Sequence, residues 1–149
     1  MAVDLERSVN HRIASVSMLA KRAAIRTIAR EGLDITPEQW TVLYYLWQED
    51  GLPVGELVRR TKKDFANVTR IVDKLLRTGY VRKERDRSDG RTFHIYLLPA
   101  GLKIRDGIES IQEEVLSLSL AGITEHEQEM MLALLARMEA NIAAALEKQ

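Results

Sequence analysis

Positively charged side chains are concentrated in the middle third of the chain, where they could bind phosphate. Residues 53–91 hold twelve lysines and arginines against six acidic residues, a net charge of +6, although the whole chain of 149 residues is formally neutral. The flanking segments, 1–52 and 92–149, carry net charges of −1 and −5. Because salt screens charges beyond roughly 10 Å, the local excess matters more for phosphate binding than the neutral total. A solvated charged surface is the competing interpretation, and the residue pattern has to decide between the two.

Other chemistries find little support in the sequence. The chain has no cysteine, which excludes disulfides, thiolate metal sites, a cysteine nucleophile and a cysteine redox sensor. The three histidines, His11, His94 and His126, lie far apart on different predicted elements, so a zinc site is not expected. Segment 84–88 faintly resembles a calcium loop, but Asp89 stands where such a loop needs glycine. No catalytic grouping or glycine-rich phosphate loop is visible, and we expect no enzyme activity, no cofactor and no metal.

Composition indicates a folded globular chain. Apolar residues make up 46% and charged residues 30%, which favours neither disorder nor a membrane protein. No apolar run approaches the roughly 18 residues that a membrane span needs. Residues 1–12 contain no apolar stretch behind a basic start, so they do not form a secretory signal. We therefore expect a cytoplasmic protein.

Helical signals cover most of the chain. Apolar spacing predicts one long helix over 5–31, which Gly32 ends. Thr36, Pro37 and Gln39 provide a capping box and a favourable first helical position for a helix to about Gln48. Thr124 begins a second capping box before a last helix rich in methionine and leucine. The remaining predicted helices span residues 53–61, 65–78 and 99 to about 120.

The basic segment has a recognisable order of elements. In the helix over 65–78, apolar residues share one face, and Arg70, Lys74 and Arg77 lie on the other. The hydrophobic period then changes from 3.6 to 2, so 80–85 and 92–98 are predicted strands joined by a turn over 86–91. Two short helices followed by a basic hairpin form a winged helix-turn-helix. Its second helix would fit the major groove of DNA.

Four segments of the chain form a recognisable combination, namely VGELVRRT at 54–61, NVTRIVDKL at 67–75, GYV at 79–81 and DRSDGR at 86–91. Together they resemble the MarR (multiple antibiotic resistance regulator) family of bacterial transcription factors. The resemblance extends over nearly the whole chain, because the long first helix and the two final helices also match. Pro99 departs from the family, which usually has a capping threonine there. The resemblance implies a homodimer on a pseudo-palindromic operator, usually a repressor that a small ligand releases.

The predicted DNA contacts divide by role. We expect Arg70 to read a base, while Lys74, Arg77, Arg85 and Arg87 contact phosphates, as do Lys62 and Lys63 in the turn between the helices. Asn67 and Thr69 touch base edges or phosphates, or else cap the helix locally. Phe65 contacts a thymine methyl group or packs within the protein. The resemblance implies that Arg91 enters the minor groove and that Asp89 holds its guanidinium.

The terminal helices and one aromatic pair complete the predictions. We expect a single domain over 1–149 that is mainly α-helical with a small β-hairpin wing. A DNA-binding lobe over 35–98 would be flanked by dimerisation helices over 1–33 and 99–149, because the last helix carries more apolar surface than its own packing needs. Trp40 and Tyr44 would wall a pocket for a small aromatic or phenolic effector, with His11 and Arg22 meeting its carboxylate, or they belong to the core. The alternative function is a winged-helix protein-interaction module that does not bind DNA.

Overall fold

The computed structural model describes residues 3–148. Helices dominate this part of the chain, as the sequence predicts, and a three-stranded antiparallel sheet completes it. The helices are α1 (Val9–Glu31), α2 (Pro37–Gln48), α3 (Val54–Thr61), α4 (Phe65–Thr78), α5 (Pro99–Lys103), α6 (Arg105–Ser119) and α7 (Glu125–Glu147). The strands are β1 (Leu52–Pro53), β2 (Val81–Arg85) and β3 (Phe93–Leu97).

Local capping fixes the helices that the sequence predicts best. At the start of α2, the Thr36 hydroxyl accepts a hydrogen bond from the backbone N–H of Gln39, and the Gln39 side chain accepts one from the N–H of Thr36. The same reciprocal pair joins Thr124 and Glu127 at the start of α7. Both predicted capping boxes are confirmed, because each depends on residues only three positions apart.

Two predicted helices are interrupted. The first helix was expected to begin at Leu5, but Leu5–Arg7 forms a 3₁₀ turn and α1 begins at Val9. Ser8 lies between them in an extended conformation and accepts a hydrogen bond from the N–H of His11, which caps α1. The prediction of one continuous helix from Pro99 to about Leu120 is also wrong, since this segment divides at Ile104 into α5 and α6.

The sheet contains a strand that the sequence does not predict. β3 lies in the centre and pairs antiparallel with β2 on one side and with β1 on the other. β1 is only two residues long, and Leu52 pairs with Ile95 in its register. This pairing joins the loop after α2 to the hairpin, so the wing is attached along one edge to the rest of the lobe.

Buried apolar residues from the helices and the sheet form one core beneath α4 and the hairpin. Tyr80 lies at its edge, where its hydroxyl donates to the backbone carbonyl of Asp34 at 2.8 Å. The core consists of Ile28, Ile35, Val42, Leu43, Leu46, Leu52, Leu57, Val68, Ile71, Val72, Leu75, Tyr80, Val81, Ile95, Ile108 and Ile111.

The chain divides into two compact units, and the boundary falls within α6. The first unit ends at Val115 and contains the whole core described above. The second begins at Leu116 and contains α7, none of whose residues is buried.

Candidate nucleic-acid interface

The turn between α3 and α4 is held by backbone geometry and a side-chain cap. Lys62 ends α3 in the left-handed region at φ 57°, a conformation that a residue with a side chain adopts at some cost. Asp64 then caps α4 by accepting a hydrogen bond from the N–H of Asn67 at 2.7 Å. This short connection fixes α4 relative to α3, as a helix-turn-helix requires.

Helix α4 has one buried and one exposed face, as predicted. Val68, Ile71, Val72 and Leu75 are buried in the core. The opposite face presents Phe65, Arg70, Asp73, Lys74 and Arg77 to solvent. Phe65 is 63% exposed, so packing within the chain does not account for a large apolar side chain at this position.

Arg70 and Asn67 form a pair on the exposed face. Nη2 of Arg70 donates to Oδ1 of Asn67 at 2.5 Å, while Asp73 forms no ion pair among residues 3–148. Asn67 does not cap α4, because Asp64 already serves that purpose. The pair therefore leaves the Asn67 amide and the remaining guanidinium N–H groups available to a ligand.

Thr69 faces the hairpin, unlike Arg70 and Lys74, which are exposed to solvent. Its side chain lines a cavity of about 450 Å³ between α4 and the hairpin, together with Phe65, Lys83, Arg91 and Phe93. The hydroxyl oxygen is covered by protein atoms and has no hydrogen-bond partner among the described residues. An unsatisfied buried hydroxyl costs roughly 1–3 kcal/mol, and here the oxygen is not presented to solvent.

Two aspartates shape the tip of the hairpin, residues 86–92. Oδ1 of Asp86 accepts hydrogen bonds from the backbone N–H of Ser88 and Asp89 and from the Ser88 hydroxyl. These bonds, with one from His94, hold the pKa of Asp86 well below its usual range. Oδ1 of Asp89 accepts from the backbone N–H of Arg91, and Oδ2 from the Thr92 hydroxyl. Asp89 thus contacts the backbone of Arg91 and not its guanidinium.

Several cations of the basic segment have acidic partners and others do not. Arg59 and Arg60 both pair with Glu56, whose pKa they lower to about 2, and Arg82 pairs with Glu84 at 2.6 Å. The second group forms no ion pair with any residue of the described range 3–148. Its members are Lys63, Arg70, Lys74, Arg77, Lys83, Arg85, Arg87 and Arg91.

Aromatic rings support two of these cations on the hairpin. The Lys83 ammonium lies 4.1 Å from the centre of the Phe93 ring, and the Arg85 guanidinium lies 5.4 Å from the same centre. A ring face attracts a cation without neutralising it, so both charges remain available to phosphate. Arg87 and Arg91 are exposed at the tip itself.

A contact that the sequence does not predict joins the hairpin to the loop after α2. The imidazole of His94 lies between the carbonyl of Gly51 and the carboxylate of Asp86. Glycine and histidine are 43 positions apart, and only the pairing of β1 with β3 brings them together. The available signal was the position of His94 within a predicted strand next to the acidic turn.

The structure brings together only two of the four residues that were predicted to bind an effector. Trp40 and Tyr44 line a cavity of about 320 Å³ between α2 and α6, together with Trp47, Arg105 and Ile108. Trp40 also packs against the core, whereas Tyr44 is 50% exposed and contacts Tyr45 edge to face. His11 and Arg22, on α1, are not among the residues that line this cavity.

Residues 3–148 contain no group of three side chains arranged to hold a metal ion. Over the same range, every helix is too short or too polar to cross a bilayer.

Comparisons with known proteins agree with this geometry. The model of the MarR family matches residues 33–92. The HTH-type transcriptional regulator TtmR of Methylorubrum extorquens is 32% identical over 111 residues, which are 74% of this chain but only 56% of TtmR. A MarR family transcriptional regulator from Silicibacter pomeroyi has the same fold, with a TM-score of 0.76, 27% identity and coverage of 93% and 92% of the two chains. The PcaV transcriptional regulator of Streptomyces coelicolor, solved with its natural ligand, shares the fold at a TM-score of 0.84 and 24% identity, over 94% of this chain and 97% of PcaV.

Proposed function

We propose that the chain is a member of the MarR family and a transcriptional regulator that binds double-stranded DNA with sequence preference. The observation that carries the proposal is the set of unpaired cations on the exposed face of α4 and at the hairpin tip. Both elements are fixed to one core, α4 by its buried face and the hairpin by β1.

Helix α4 is the element that we assign to the major groove. The groove of B-DNA is about 12 Å wide and admits one α-helix. Arg70 lies on the outer face, where its guanidinium can donate two hydrogen bonds to one guanine. Asn67 holds the guanidinium from one side, which reduces the conformational freedom that Arg70 loses on binding. Phe65, exposed at the start of the helix, is suited to a thymine methyl group.

The remaining cations suit the phosphate backbone. Lys74 and Arg77 follow Arg70 along α4, and Lys63 precedes the helix. Arg85 and Arg87 approach from the hairpin. Arg91, at the tip, is the arginine that we assign to the minor groove. Its charge suits a narrow groove, where the negative potential is enhanced. Contacts to phosphate fix the register of the protein, while contacts to base edges provide its sequence preference.

A second copy of this chain is the partner that we propose for the terminal helices. In α1, large apolar side chains are exposed, among them Ile13, Val16 and Leu19. In α7, Met130, Leu134, Ile142 and Leu146 are exposed as well. Large unpartnered apolar surfaces indicate an interface. A two-fold dimer would present two α4 helices about 34 Å apart, which matches a pseudo-palindromic operator.

A small aromatic acid or phenol is the effector class that we propose for the cavity between α2 and α6. Its walls are aromatic, and Arg105 is the cation on its rim, although Arg105 also pairs with Glu109 at 2.7 Å. The fold neighbour PcaV is described in complex with its natural ligand. The regulator would act as a repressor, and the effector would favour a dimer whose α4 spacing no longer fits DNA.

The competing function is a winged-helix module that binds other proteins. Fluorescence anisotropy with labelled duplexes from the region upstream of the coding sequence separates the two functions. The proposal predicts binding that prefers one duplex over unrelated sequence and weakens steeply with salt. Equal, weak binding to every duplex would favour the protein-interaction module.

A further inference from the structure

His94 is held between two hydrogen-bond acceptors. Its Nδ1 lies 2.9 Å from the carbonyl oxygen of Gly51, and its Nε2 lies 2.7 Å from Oδ2 of Asp86. A neutral imidazole carries only one N–H, whereas neither the carbonyl nor the carboxylate can donate. Both contacts are therefore hydrogen bonds only when the ring is an imidazolium.

The two acceptors belong to different parts of the lobe. Gly51 lies in the loop between α2 and β1, while Asp86 is the first residue of the hairpin tip. The second oxygen of Asp86 organises the tip by accepting from the backbone of Ser88 and Asp89. His94 thus connects the loop after α2 to the turn that carries Arg87 and Arg91.

The hydrogen-bond acceptors and carboxylates around His94 favour its protonated form. On β2, Glu84 is its register partner, and Arg85 precedes the tip. The tip contributes Asp86 and Arg87, and these groups share one surface depression with His94. On β1, the neighbouring residues Leu52 and Pro53 carry no charge. The Gly51 carbonyl and the Asp86 carboxylate raise the pKa of His94, and partial desolvation opposes them only in part.

We propose that His94 is a positioning residue for the arginine-bearing tip and that its protonation makes DNA affinity depend on pH. The inference rests on the proposed DNA-binding function. Because the ring is bound as an imidazolium, the link is complete at pH values below the ordinary pKa of histidine and is lost as the pH rises through the raised pKa. Loss of the link frees the tip, so DNA affinity falls as the solution becomes more alkaline.

The test is the affinity for a preferred duplex from about pH 6 to about pH 9, a range across which a histidine with a raised pKa loses its proton. Wild-type protein is expected to lose about threefold to tenfold in affinity, the value of one hydrogen bond. In Asp86→Asn the new amide can donate to Nε2 of a neutral ring whose Nδ1–H still donates to Gly51. That variant keeps the link without a charge, and its affinity is expected to stay constant with pH.

Two further variants complete the experiment. His94→Phe removes both hydrogen bonds and is expected to bind DNA weakly at every pH. His126→Gln, on α7, is the matched control and is expected to keep the wild-type pH profile. The proposal is overturned if wild-type affinity is constant with pH, or if Asp86→Asn keeps the wild-type dependence.

A measurement without DNA separates this inference from the proposed function. Nitrogen-15 spectra of the three imidazole rings follow each protonation directly. The expected result is that His94 stays doubly protonated at a pH above the ordinary pKa of histidine, about 6.5. A His94 that loses its proton at or below that ordinary value would overturn the inference, even if the protein bound no DNA at all.

Discussion

Arg70 donates from Nη2 to the side-chain oxygen of Asn67 across 2.5 Å, so the residue assigned to base reading is oriented before DNA arrives. The two residues lie three positions apart on α4, a spacing that places them on neighbouring turns of one face. The Asn67 side chain is free to make this contact because the Asp64 carboxylate already caps the first turn of α4, where it accepts a hydrogen bond from the backbone N–H of Asn67. Local sequence thus determines both the cap and the orientation of the arginine.

Replacing Arg70 is expected to affect sequence preference more than general affinity. Arg70→Ala should weaken binding to the preferred duplex by about 1–3 kcal/mol, the value of a bidentate contact to a base, and should reduce discrimination against unrelated duplexes. Arg77→Ala, further along the same face, is the matched comparison and should weaken binding to all duplexes alike. Dissociation constants for both duplexes test this. Equal losses of discrimination in the two variants would contradict the assigned roles.

Asp89 is expected to act through the backbone of the hairpin tip. It accepts from the N–H of Arg91 and from the Thr92 hydroxyl, so Asp89→Ala should weaken DNA binding by roughly 1 kcal/mol, the value of such hydrogen bonds. Asp89→Asn retains an acceptor oxygen and should bind DNA nearly as well as wild type. If Asp89→Asn fails as severely as Asp89→Ala, the charge of Asp89 holds the Arg91 guanidinium, as the family resemblance implied.

Acid should remove the contribution of Glu56 to stability. Its pKa is lowered to about 2 by Arg59 and Arg60, below its usual value near 4.5. A lowered pKa in the folded state stabilises the protein above the unfolded-state value, and this stabilisation is lost as the pH falls towards the folded-state value. Urea unfolding at several pH values should therefore show wild type and Glu56→Gln converging between pH 4.5 and pH 2. A constant difference across that range would rule out the ion pairs as its source.

Small aromatic acids are expected to bind the cavity between α2 and α6. Trp40 and Trp47 both line it, so binding of a benzoate or hydroxybenzoate should change tryptophan fluorescence and weaken the complex with DNA. Tyr44→Ala removes an exposed wall of the cavity and should reduce the affinity for the acid without changing DNA binding in its absence. If no such acid alters fluorescence or DNA affinity, Trp40 and Tyr44 serve only as core residues.

Short-range signals predicted much of the fold. The limits of α2 and α4 follow the sequence closely, because Thr36 and Asp64 cap them and Gly79 ends the second in the left-handed region. The alternation of apolar and polar residues likewise identified the two hairpin strands. The breaks at Ser8 and Ile104 were missed because apolar spacing continues through both positions.

Long-range contacts were not accessible from the sequence. β1 consists of Leu52 and Pro53 and exists only through its pairing with β3, more than 40 positions away. The same pairing brings Gly51 to His94, so a histidine predicted in a hairpin strand also contacts the loop after α2. The sequence also indicated which cations lie on α4, whereas the partners that neutralise Arg59, Arg60 and Arg82 required the folded chain.

The salt dependence of DNA affinity in two charge-matched double variants tests the central claim most directly. Lys74→Gln/Arg87→Gln removes two unpaired cations, one on α4 and one at the hairpin tip, and Arg59→Gln/Arg82→Gln removes two that already pair with Glu56 and Glu84. The account predicts that the slope of log affinity against log salt becomes shallower by about 1.8 in the first variant, since each phosphate contact contributes about 0.9, and hardly changes in the second. Equal slopes in the two variants would show that α4 and the hairpin tip do not contact the duplex.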